Sequence, residues 1–168
     1  MKIGVLSDTH GFLPPSAFEF FKECNQIWHA GDVGTMDVLT ELETIAPVVA
    51  VWGNCDSWSM RNKYPEYQIF KCEKHKIALM HIVGNPGHYS ETARKIIREE
   101  SPTVFVAGHS HILLIKYDES NKMLFINPGA AGKMGIHRSL TMVRFEINGK
   151  NISHLDVYDM KRDNSMPL

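Results

Sequence analysis

The chain alternates short apolar runs with short polar clusters. Lys2 to Leu6 is an apolar run halted by a polar loop, the pattern of a buried strand. Pro14-Pro15-Ser16 opens a helix, because proline in a first helical turn gives up no hydrogen bond. The apolar side of that helix holds Ala17, Phe18, Phe20, Phe21 and Cys24. Gln26 to Ala30 reads as a second strand. Thr35 stands where it can cap a helix carrying Val38, Leu39, Leu42 and Ile45 at helical spacing. Pro47 ends that helix, and Val48 to Trp52 is a third apolar strand. This β-α-β-α-β opening predicts a parallel sheet covered by helices.

The later pattern is different. Tyr67 to Cys72 and Lys76 to Met80 flank Glu73-Lys74-His75 as a hairpin. Tyr89 to Glu100 has helical spacing at Tyr89, Ala93, Ile96 and Ile97, with Ser101-Pro102 as its stop. Thr103 to Ala107 is another buried strand. Ile112 to Tyr117 pairs with Met123 to Ile126 across a turn, and Leu140 to Ile147 with Ile152 to Val157 across Asn148-Gly149, a strong hairpin signal. Antiparallel pairs therefore dominate the second half. Two sheets packed face to face with helices outside accommodate both halves. Residues 1–160 read as one domain, and the tail from Lys161 to Leu168 is expected to fray.

The polar clusters sit at the ends of the apolar strands. Ser7-Asp8-Thr9-His10-Gly11 follows the first, Gly31-Asp32-Val33-Gly34 the second and Gly53-Asn54-Cys55-Asp56 the third. His81 closes the Lys76 to Met80 strand, and Gly108-His109-Ser110-His111 follows Thr103 to Ala107. Parallel strands place their C-terminal ends along one edge, where ligands bind. Convergence there gathers two Asp, one Asn and four His. Carboxylate oxygen with imidazole nitrogen suits Mn, Fe, Zn or Ni rather than Ca or Mg. Seven ligands exceed the needs of one ordinary ion and suit two that share a carboxylate.

The ordered set Asp8-x-His10, Gly31-Asp32, Gly53-Asn54, His81 and Gly108-His109-x-His111 resembles the calcineurin-like metallophosphoesterases. Asn54-Cys55-Asp56 and Asn127-Pro128-Gly129 are similar to the small bacterial and archaeal phosphodiesterase branch related to Vps29. The resemblance spans Met1 to about Tyr158. It implies an α/β fold, a four-layer α-β-β-α sandwich of two mixed sheets. It implies that Asp8, His10 and His111 hold a first metal, that Asp32 bridges, and that Asn54, His81 and His109 complete a second. Asn54, Asp32 and His109 are then the catalytic positions, and two divalent metal ions are the cofactors, manganese first, with nickel, iron or zinc as alternatives. A hydroxide shared by the two ions would attack phosphorus in line.

Two departures stand out. The family usually has glycine directly after the histidine matched by His81, where this chain has Ile82. Larger members carry histidine, a general acid or charge stabiliser, where this chain has Cys55, and a thiol of ordinary pKa ~8.5 suits that task less well. Esters with good leaving groups, or another acid such as His88, would answer the second departure. His29 reads as a core or supporting histidine, and His75, His137 and His154 as surface groups. Trp58 fits the pocket edge and core packing equally. Lys133 and Arg138 are candidates either to touch phosphate or simply to be solvated.

Composition narrows the partners. A net charge of −1 offers no basic track for extended nucleic acid, and no aromatic stripe supports stacking along a single strand. The expected partner is a small phosphoester; self-association is left open. The three cysteines are widely spaced and suit a reducing compartment. The first apolar run is broken by Asp8 before it could serve as a signal peptide, and no stretch approaches the ~20 apolar residues of a membrane span. A cytoplasmic, membrane-free protein is the expectation. The rival to an enzyme is a non-catalytic scaffold of the Vps29 kind.

Overall fold

Apolar runs buried on both faces form the central strands of two sheets with one shared interior. In the computed structural model, residues 1–161 are described. The first half contains β1 (Lys2–Leu6), α1 (Ser16–Phe21), β2 (Gln26–His29), α2 (Met36–Glu43), β3 (Val48–Ala50) and α3 (Trp58–Lys63). The chain continues through β4 (Tyr67–Cys72), β5 (His75–Met80), β6 (Gly84–Asn85), β7 (His88–Tyr89), α4 (Glu91–Glu100) and β8 (Val104–Val106). It closes with β9 (Leu113–Asp118), β10 (Met123–Pro128), β11 (Ser139–Asn148) and β12 (Asn151–Lys161).

The first sheet has the order β12-β11-β1-β2-β3 and the second β4-β5-β8-β10-β9. β1, β2 and β3 are parallel, as are β5, β8 and β10, and the flanking strands pair antiparallel. Side chains of a strand alternate between faces. Ile3, Val5 and Trp28 of the first sheet therefore meet Ile77, Leu79, Val104 and Val106 of the second in one cluster. The opposite face of the first sheet, with Ile27, packs Phe20 and Phe21 of α1 and Val38, Leu39 and Leu42 of α2. The opposite face of the second, with Ala78, Met80 and Phe105, packs Ala93 and Ile96 of α4. The layers are thus α-β-β-α, the expected sandwich.

Several boundaries differ from expectation. Phe18 is 41% exposed, because a six-residue helix turns only a narrow face inward, and Cys24 lies beyond its end. Tyr89 belongs to β7 rather than to α4, whose cap is Ser90, with its side chain accepting from the Ala93 N–H. α3 and the β6–β7 hairpin are absent from the periodicity reading. β12 runs well past Val157 because its length is fixed by pairing with β11, from Asn148↔Asn151 to Ser139↔Lys161. Lys161, expected in the tail, ends that strand; the rest of the tail lies outside the described residues. Among the described residues no helix is long and apolar enough to cross a membrane. Cys24, Cys55 and Cys72 are free thiols.

Candidate metal centre

Backbone pairing continues past the strand ends and ties the polar loops together. The Asp8 N–H donates to Gly31 O (3.0 Å), His10 N–H to Asp32 O (2.9 Å) and Gly11 N–H to Val33 O (2.7 Å). On the second sheet the Gly108 N–H donates to His81 O (3.0 Å). The two sheets meet where the His109 N–H donates to Asp8 Oδ2 at 3.1 Å. Gly53 has to be glycine: a Cβ there would lie 2.2 Å from Asp32 Oδ1. Asp8, His10, Asp32, His109 and His111 all have left-handed φ, between 47° and 69°. L-residues adopt that conformation at a cost, and such strain gathers at functional sites.

Side-chain atoms converge inside these loops. Asp32 Oδ2 lies 3.3 Å from His81 Nε2 and 3.9 Å from His10 Nε2. Asp8 Oδ1 lies 3.1 Å from His111 Nε2 and 3.9 Å from His81 Nε2. Despite this proximity Asp8 Oδ1, His10 Nε2 and His81 Nε2 are buried without a hydrogen-bond partner. A buried unpaired polar atom costs about 1–3 kcal/mol, so three facing one space are poorly explained without a cation. Asp8, His10 and His111 offer ligand atoms within 4.8 Å of one another, as do Asp8, Asp32 and His81. The mixed nitrogen and oxygen donors fit a first-row transition ion. His81 Nδ1 lies 2.7 Å from Ala30 O, to which it donates, leaving the Nε2 lone pair turned inward.

The electrostatics agree. Burial pushes the Asp8 carboxyl up, but the adjacent His111 ring, the charge of His81 and the Ser7 hydroxyl outweigh it, and the net shift is downward. Burial likewise opposes ionisation of Asp32, yet His81 and the Cys55 N–H, which donates to Oδ1 at 2.7 Å, hold it well below the usual range. Burial lowers His81, while Asp32 and Asp8 more than reverse this and raise it. Both carboxylates are thus anionic, as ligands need to be. Burial and then the Asp32 carboxylate raise the Cys55 thiol, which opposes a thiolate nucleophile.

Asn54 and His109 occupy the same loops but are exposed. The His109 ring packs edge-on against His81, with centroids 5.3 Å apart. The Asn54 amide nitrogen approaches Cys55 Sγ at 3.4 Å, and Arg61 donates to the Asn54 carbonyl at 2.6 Å. His29 is fully buried beneath the centre: its Nδ1 accepts from the Gly31 N–H (3.2 Å), and its Nε2 donates to Thr9 Oγ1 (2.9 Å). Burial lowers its pKa to about 4, keeping it neutral. Trp58 is 80% exposed, which overturns core packing as its role. Lys133 lies over the Phe12 ring with Nζ at 3.9 Å, and Arg138 is exposed. His88 is exposed in the β6–β7 hairpin and makes no side-chain hydrogen bond to the cluster.

Two residues escaped the sequence reading. Asp56 accepts from the N–H groups of Gly34 (2.8 Å), Gly53 (2.8 Å) and Val33 (3.2 Å), and so clamps the Asp32 loop to the Asn54 loop. Its place in Gly53-Asn54-Cys55-Asp56 was the available signal, since Asp folds turns by accepting from nearby backbone. His137, expected on the surface, is half-buried, with Nδ1 3.2 Å from His111 Nδ1.

The chain as a whole is similar to known proteins. Residues 1–150 match the family model described as the calcineurin-like phosphoesterase superfamily domain. A probable metallophosphoesterase of Methanothermobacter thermautotrophicus is 36% identical over 135 residues, covering 77% of each chain. A phosphodiesterase of Methanocaldococcus jannaschii is 29% identical over 145 residues, covering 77% of this chain and 83% of its own. The structure of wild-type Vps29 from Entamoeba histolytica complexed with zinc superposes with a TM-score of 0.74 at 20% identity, covering 96% of this chain and 99% of its own.

Proposed function

The chain belongs to the calcineurin-like phosphoesterase superfamily, and on that premise we propose that its strand-end cluster holds two divalent cations and hydrolyses phosphodiesters. One observation carries the reading: Asp8 Oδ1, His10 Nε2 and His81 Nε2 are buried, unpaired and aimed into a common space. Asp8, His10 and His111 hold one ion, and His81, Asn54 and His109 the other. Asp32 would be shared by both sets, since its Oδ2 lies 3.9 Å from His10 Nε2 and 3.3 Å from His81 Nε2. Two such ions supply a water of lowered pKa and a clamp on the oxygens of an in-line displacement at phosphorus. Manganese is the first candidate.

The chain's own residues prepare that chemistry. Thr9 and His29 brace the Asp8–His10 loop from below. Asp56 and the Cys55 N–H hold Asp32 and Asn54 in register, leaving the exposed Asn54 amide to orient a phosphate oxygen. No imidazole stands at position 55, so esters whose leaving groups need little protonation are the preferred substrates. A relative named as a phosphodiesterase supports the diester assignment.

The test is hydrolysis of bis(p-nitrophenyl) phosphate by metal-stripped protein refilled with Mn²⁺, Ni²⁺ or Zn²⁺. Metal-dependent turnover that disappears in Asp32→Ala supports the proposal. Stoichiometric metal binding with no turnover on this diester or on p-nitrophenyl phosphate would replace it with a scaffold, the alternative suggested by the Vps29 fold likeness.

A further inference from the structure

The loop from Gly129 to Arg138 leaves β10 and folds back over the centre. Its root is fixed where the Asn127 side-chain amide donates to Gly108 O (2.8 Å) and Ser110 Oγ (3.1 Å), either side of His109. The next residues run along the Asp8 loop: the Ala131 N–H donates to Ser7 O (2.9 Å) and the Gly132 N–H to Asp8 O (3.0 Å). Gly135 then crosses directly over the His111 ring. A Cβ there would lie 2.5 Å from His111 Nδ1, and φ is +111°, so only glycine permits the approach. This seats the His137 ring against His111 at 5.1 Å between centroids.

The ring nitrogens then form a directed chain. His137 Nε2 is 2.9 Å from Gly132 O, which can only accept, so Nε2 carries a proton. His111 Nε2 faces Asp8 Oδ1 at 3.1 Å and is the nitrogen that reaches the metal space. A metal-binding nitrogen needs its lone pair, which puts the His111 proton on Nδ1. That Nδ1 is 3.2 Å from His137 Nδ1, an acceptor in the neutral ring. Gly132, itself bonded to Asp8, thereby reaches His111 through one side chain.

We propose that His137 is a positioning residue: by accepting from His111 Nδ1–H it fixes the tautomer and angle in which His111 ligates the cation shared with Asp8. The inference rests on the reading of His111 as a metal ligand. Loss of such a supporting partner typically weakens metal binding ~10–100-fold.

Three substitutions separate this from simple loop packing. His137→Asn keeps an acceptor near the Nδ1 position, His137→Gln keeps only a donor near Nε2 for Gly132, and His137→Phe keeps ring volume alone. Mn²⁺ is titrated calorimetrically into metal-stripped wild type and the three variants, with metal-free melting temperature measured alongside. One of two sites should weaken about 10–100-fold in the Phe and Gln variants and recover most of its affinity in Asn, with the second site unchanged. Wild-type affinity in the Phe variant overturns the proposal. So does a Gln variant as tight as Asn, or affinity losses that simply follow the melting temperature in all three. Wild-type protein that binds no Mn²⁺ overturns this inference together with the function it rests on, an outcome distinct from the others.

Discussion

Two buried carboxylates of the site loops, Asp56 after β3 and Asp8 after β1, have opposite surroundings. Asp56 is 4% exposed and receives three backbone N–H groups. Asp8 is fully buried, yet its Oδ1 faces His111 and His81 without a hydrogen bond. The first is saturated by its own chain and has nothing left to give a ligand. The second, with Asp32, His10 and His81, keeps donor atoms open at a cost that folding alone does not repay. Saturation marks scaffolding, and organised unsaturation marks the site.

The comparison breaks most visibly at Asp32. Asp32→Ala should reduce diester turnover below detection, while Asp32→Asn, which keeps an acceptor for the Cys55 N–H, should cost metal-free protein less stability than loss of Asp56. Asp56→Ala should act first on the fold, leaving three N–H groups unpaired and costing about 3 kcal/mol in urea unfolding of metal-free protein. Equal stability losses at both positions would dissolve the distinction.

His29 sharpens the saturated side. Its pKa is lowered to about 4 by burial, against about 6.5 unfolded, so the unfolded chain binds the proton more tightly. Its contribution is complete above pH 6.5 and is lost as pH falls toward 4, about 3 kcal/mol in all. In metal-free protein, His29→Gln should flatten that part of the stability profile; an unchanged slope would assign the pH dependence elsewhere. On the open side, Cys55→His should raise turnover of alkyl phosphodiesters by about tenfold, equivalent to ~1.4 kcal/mol. If it leaves them unchanged, the leaving-group account of position 55 fails.

The sandwich was legible because apolar runs buried on both faces carry a strong signal, as in β1, β5 and β8. The candidate centre was legible because Asp8, Asp32, His81 and His109 stand just after such runs. α3 was not, since Met60 is its only buried residue and the exposed Trp58 breaks any amphipathic pattern. β12 was underread because its exposed residues are set by pairing rather than by burial. His137 was misplaced for a related reason: an irregular loop has no period, and only its backbone bonds to Ser7 and Asp8 bring it to His111.

Crystals of the protein soaked in Mn²⁺, with diffraction recorded at the manganese absorption edge, test the central claim most directly. Two anomalous peaks ~3.5–4 Å apart, with Asp32 contacting both and Asp8, His10 and His111 contacting one, are the predicted result. A single peak, or none among these residues, would contradict the two-cation account.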